Sequence, residues 1–83
     1  MLDSGWRERI SIDPGVCHGK ACIRGTRIMV SIVLDYLASG ELADEIMRQY
    51  PTLKREDILA AIGYGAWLAH QEEEIPLHPD LPE

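Results

Sequence analysis

The sequence predicts a mainly α chain: a small N-terminal β element followed by three short helices of helix-turn-helix proportions. Three observations carry that prediction. After residue 30, apolar residues recur three times at helical spacing. Ser39-Gly40 and Pro51 interrupt the run where helices must stop. Before residue 30 the periodic stretch is Arg9-Ile10-Ser11-Ile12-Asp13, which alternates polar and apolar like a half-buried strand.

Asp13-Pro14-Gly15 ends that strand, because Pro fixes φ and Gly accepts positive φ. A loop through His18-Gly19-Lys20 follows. Ala21-Cys22-Ile23-Arg24 and Arg27-Ile28 read as short extended pieces bent at Gly25-Thr26, so residues 9–29 form a β element and loop. The first helix is predicted over 30–39, where Val30, Val33, Leu34 and Leu37 share a face. The second, over 42–49, aligns Ala43, Ile46, Met47 and Tyr50 and stops at Pro51. The third, over 54–72, lines Ile58, Ala61, Ile62, Gly65 and Ala69 on one face. Its Glu56 and Asp57 lie in the first turn, where the helix dipole favours carboxylates. Residues 30–72 thus form a three-helix bundle within a single domain of 1–74. The remainder, 75–83, is broken by three prolines and predicts an extended tail.

Eighty-three residues allow one small domain. A chain of this length buries only about 60–65% of the surface its unfolded form exposes, which favours a homodimer or another partner. With 46% hydrophobic and 27% charged residues it is too apolar for a disordered chain, and no apolar run approaches a membrane span. The net charge is −6, unevenly placed. Residues 1–34 carry five basic side chains against three acidic ones, a net of +2; residues 35–83 carry three basic against eleven acidic, a net of −8. The acidic half suits a basic protein partner. Met1-Leu2-Asp3-Ser4 has no basic n-region and no apolar run follows, which predicts a cytoplasmic protein.

Lys20, Arg24 and Arg27 are the N-terminal nucleic-acid candidates. Two guanidinium forks flank Gly25, whose backbone N–H groups suit an anion. The same run also reads as architecture, with Gly25 at an unusual φ, Thr26 bonding local backbone, and the arginines clamping Asp35 or Glu45. Lys54 and Arg55 open the helix that a helix-turn-helix would offer to DNA, but Glu56 and Asp57 follow at once and oppose phosphate. Tyr64, Trp67 and Leu68 form a second face of that helix, either a partner contact or a cap on the chain's own core. Ile75 and Leu77 would let the tail lie across a basic groove of a partner, and a frayed terminus is the plainer alternative. Cys17, His18 and Cys22 are three soft ligands within six residues, short of the four that structural zinc needs. Free thiols are expected in preference to a disulfide or a metal site. No nucleophile elbow or glycine-rich phosphate loop is present, which predicts a non-enzyme without a cofactor.

One combination of residues is more specific than any of these. Ile12-Asp13-Pro14, Gly19-Lys20-Ala21-Cys22-Ile23-Arg24-Gly25-Thr26-Arg27-Ile28, Leu37-Ala38-Ser39-Gly40, Tyr50-Pro51-Thr52-Leu53 and Glu56-Asp57-Ile58 together resemble the small prokaryotic family known as domain of unknown function 433. The resemblance spans about residues 9–70. It implies a homeodomain-like three-helix fold with an N-terminal β element, and a role as antitoxin in a toxin–antitoxin pair whose companion is a PIN-like ribonuclease. Autoregulatory binding to operator DNA goes with that role. The alternative is a stand-alone dimeric DNA-binding regulator. The chain departs from the family pattern at Ala21 and Met29, where Pro is usual. It also departs at Leu42 and Lys54, where a Ser or Thr usually caps a helix. Each lost cap would cost about 1 kcal/mol, offset in part by Thr52 or Glu41. Gly63 and Gly65 inside the third helix predict close approach of another backbone.

Overall fold

The computed structural model describes residues 5–71. Its elements run α1 (Trp6–Arg9), β1 (Ile10–Ser11), β2 (Cys22–Ile23), α2 (Val30–Ala38), α3 (Ala43–Gln49) and α4 (Arg55–Gln71), with a 3-10 turn at Cys17–Gly19 between the strands. The three expected helices are present within one or two residues of their predicted bounds. A fourth, α1, was not expected. None of these helices is long and apolar enough to cross a membrane.

The β element is two short antiparallel strands, with Ile10 opposite Ile23 and Ser11 opposite Cys22. Asp13 and Val16 bridge across the Pro14-Gly15 turn, where the Gly15 N–H donates to Asp13 Oδ1 at 2.8 Å. Cys17 and His18 then take left-handed backbone conformations (φ 53° and 56°), rare for residues with a Cβ. Cys17 is joined to Cys22 as a disulfide. The expectation of two free thiols is therefore corrected: the reversal at 17–19 folds the loop back and brings the two sulfurs together.

A second turn connects β2 to α2. Thr26 N–H donates to Ile23 O at 3.0 Å, the Thr26 hydroxyl donates to the same carbonyl at 2.8 Å, and Ile28 N–H donates to Thr26 Oγ1 at 3.0 Å. Gly25 sits at φ +83°, which only glycine takes readily. The Val30 N–H, the first of α2, donates to Ala21 O, so the β element satisfies a helix end that no side chain caps.

The core gathers one face from each element: Trp6, Ile10 and Ile23 below, Val30, Val33 and Ile46 from α2 and α3, and Ile58, Ala60 and Ala61 from α4. The buried face of α4 differs from the expected one. Ile58 and Ala61 are buried as predicted, but Ile62 and Ala69 are exposed. The cause is α1, whose most extensive packing is against α4. It turns the covered side of α4 toward Ala60 and Tyr64. Gly63 and Gly65 likewise serve this chain's own packing. A Cβ on Gly63 would lie 3.2 Å from Trp6 Cδ1, and one on Gly65 3.2 Å from Leu34 Cδ1.

Candidate interaction surfaces

Of the five basic candidates, Arg24 is committed to the scaffold. Its Nε donates to Glu8 O at 2.8 Å, and its Nη2 to Ile10 O at 2.9 Å and Arg7 O at 3.3 Å. Two of these carbonyls lie in the last turn of α1, where the helix itself offers no partner, and the third opens β1. The guanidinium thus caps a helix, and does not clamp Asp35 or Glu45 as the architectural alternative supposed. It shares a shallow depression with Glu8, Arg9 and Asp57, whose carboxylates oppose a phosphate there.

The Lys54 backbone and the Arg55 side chain are also drawn into local structure, while the Lys54 ammonium stays exposed with no partner among the described residues. Asp57 is buried (7% exposed) and ties the start of α4 together. Its Oδ2 accepts the Lys54 N–H at 2.9 Å, and its Oδ1 accepts Arg9 Nη1 at 3.0 Å. This is the returning half of a capping box. Asp57, not Thr52, thus supplies the side-chain bond at this helix start, to the Lys54 N–H. Arg55 forms an ion pair with Asp44 of α3. Lys20 and Arg27 remain exposed, with no partner for either side chain among the described residues. Arg27 lines an open depression of about 430 Å³ with Ser11, Val16, Gly25 and Thr26.

The aromatic candidates meet α1. Trp6 packs edge-on against Tyr64 (centroids 5.3 Å) and tilted against Trp67 (5.6 Å). Arg7 lies over both indoles, 4.5 Å and 5.8 Å from their centroids. Tyr64 and Trp67 therefore cap the chain's own core, although Trp67 keeps 37% of its surface exposed. Leu68 lies in the last turns of α4, beyond the cover of the body, and is exposed. Ile75 and Leu77 lie outside the described residues.

Three features were missed in the sequence. The first is a shallow concavity at the α2–α3 turn, lined by Glu41, Leu42, Asp44, Glu45 and Arg48 with Ser39 and Gly40. Leu42 occupies the N-cap position of α3 and is 74% exposed, a projecting apolar side chain among carboxylates. Its signal was present: a Leu at a capping position serves the helix poorly. Arg48 is paired with Glu45 at 3.1 Å and Arg55 with Asp44, so Glu41 is the rim carboxylate without an ion pair among the described residues. The second is Trp6, whose role needs α1 to be known. The third is an exposed stripe on α4 at Leu59 and Ile62. Nearby, Tyr36 donates to Gln49 Oε1 at 3.0 Å. Its phenol is raised above the ordinary tyrosine value, first by hydrogen bonding with Tyr50 and then by the charge of that group.

The family model described as "Protein of unknown function (DUF433)" matches residues 10–65. A comparison with curated proteins finds no match. Among solved structures, the crystal structure of a DUF433 member protein from Anabaena variabilis is similar, with a TM-score of 0.70 and 39% identity. The match covers 80% of this chain, which spans only 65% of that one.

Proposed function

The chain belongs to the DUF433 family, and on that premise we propose that it is an antitoxin that binds and neutralises a PIN-like ribonuclease stoichiometrically, in the cytoplasm and without catalysis of its own. The observation that carries this reading is the concavity around Leu42. An exposed apolar side chain beside the unpaired Glu41, with Asp44 and Glu45 held only by weak surface ion pairs to Arg55 and Arg48, fits a basic protein surface with a small apolar pocket. A surface that handles RNA has that charge. The same carboxylates repel a phosphate backbone, so they favour the protein partner over the nucleic acid.

The test is RNA cleavage by the PIN-like ribonuclease encoded beside this chain, with and without equimolar protein. Cleavage is expected to be lost. Leu42→Asp and Glu45→Lys are each expected to weaken inhibition by roughly tenfold or more while leaving the helical circular dichroism intact. Undiminished cleavage with the chain in excess would overturn the proposal.

A second reading, DNA binding by a homeodomain-like helix-turn-helix, draws on one observation: the exposed Arg27 guanidinium beside the Gly25-Thr26 turn. The start of α4 supports it poorly, because Arg55 is held by Asp44 and Glu56 follows.

A further inference from the structure

From Ile58 to Ala69, α4 carries no charged side chain. One side of it is buried, and α1 covers a flank through Trp6. The remaining side is bare: Leu59 is 60% exposed, Ile62 44%, and Ala66 and Ala69 are exposed with them. These four recur at spacings of three, four and three, the seam of a helix pair. A helix that is apolar all round is normally covered all round.

We propose that this face joins two copies of the chain through antiparallel α4 helices, with the two-fold axis between Ile62 and Ala66. Two features select a second copy as the occupant. The stripe is complementary to itself: that axis sets Leu59 against the partner's Ala69 and Ile62 against the partner's Ala66, a large side chain against a small one each time. Antiparallel pairing alone sets large against small, whereas parallel pairing sets Leu59 against Leu59 and Ala66 against Ala66. Finally, an uncharged stripe offers little to a basic protein, which finds its carboxylates at the α2–α3 turn instead. The two surfaces do not compete.

Sedimentation equilibrium of the full chain from low to high micromolar concentration tests this. A dimer is expected. Ile62→Glu buries an unpaired carboxylate at the axis and weakens association by roughly 100-fold or more. Leu59→Lys acts in the same direction. Both sites are exposed in the single chain, so circular dichroism should remain unchanged. Register is read by mixing Ile62→Cys and Ala66→Cys chains, whose oxidation should give more mixed cross-link than either chain gives with itself. A monomer at every concentration, or a dimer indifferent to both charge substitutions, overturns the proposal. Preferential cross-linking of each cysteine chain with itself does so too.

Discussion

Arg24 gathers three carbonyls of two successive elements, those of Arg7 and Glu8 in α1 and Ile10 in β1. Its own N–H also donates to Arg9 O at 2.7 Å. One residue therefore closes a helix end and aligns the strand that follows. Arg24→Ala leaves those carbonyls to water or to one another and removes hydrogen bonds from a charged donor, at a cost of about 1–3 kcal/mol. The urea midpoint should fall accordingly. Arg24→Lys should recover only a fraction of the loss, because an ammonium lacks the planar fork that reaches several carbonyls. An Arg24→Ala midpoint equal to that of the parent would show that α1 docks without it. Trp6 adds an opposing detail. Its indole N–H is buried without a hydrogen-bond partner among the described residues, which costs part of what its packing contributes.

Among the elements, α4 shows why a glycine in a helix can be worth its cost. Glycine disfavours a helix by about 1 kcal/mol relative to Ala. Gly65→Ala brings a Cβ to 3.2 Å from Leu34 Cδ1, the far end of a flexible side chain that can shift. Gly63→Ala brings one to 3.2 Å from Trp6 Cδ1 and 3.5 Å from Trp6 Cβ, a ring held between Tyr64 and Trp67. Thermal melts should therefore separate the two. Gly65→Ala should stabilise by about 0.5 kcal/mol, and Gly63→Ala should show no gain or a loss. Equal stabilisation would mean that α1 does not press on α4. The same contact explains what the sequence left hidden. The bounds of α2, α3 and α4 were legible because each runs long enough to show its period and ends at Gly40, Pro51 or nearby. The four residues of α1 are too few for any period, and a single turn is stable only through packing. Without α1, the sequence places the covered side of α4 toward Ile62 and Ala69 and leaves Tyr64 and Trp67 open between a partner contact and a cap on the chain's own core. Arg24 was ambiguous for the same reason, since the carbonyls it caps belong to an element the pattern does not reveal. The specific run Ile23–Ile28 was legible as a family mark, but its work is to shape a turn.

Across the whole molecule the decisive quantity is where the charge remains available. The net charge of −6 hides an N-terminal excess of cations, and an exposed patch of them would be the natural footprint of DNA binding. Much of that excess is already used. Arg24 caps α1, Arg9 bonds Asp57, and Arg55 of the acidic half bonds Asp44. Lys20 and Arg27 are left on the loop side and the Lys54 ammonium beside Glu56, and three phosphate contacts per chain give little affinity at physiological salt. A dimer doubles the number without relieving the repulsion from eleven carboxylates in each acidic half. The expected outcome in a gel-shift titration with duplex DNA from upstream of the gene is no stable complex near 0.15 M salt for the chain alone. Under the proposed function, adding the ribonuclease partner should reverse this, because a basic RNA-handling surface would supply the cations that this chain lacks. A shift by the chain alone that falls steeply with salt and disappears in Arg27→Ala would point the other way. The open depression beside Gly25 would then be a phosphate site, and DNA binding would replace inhibition as the proposed function.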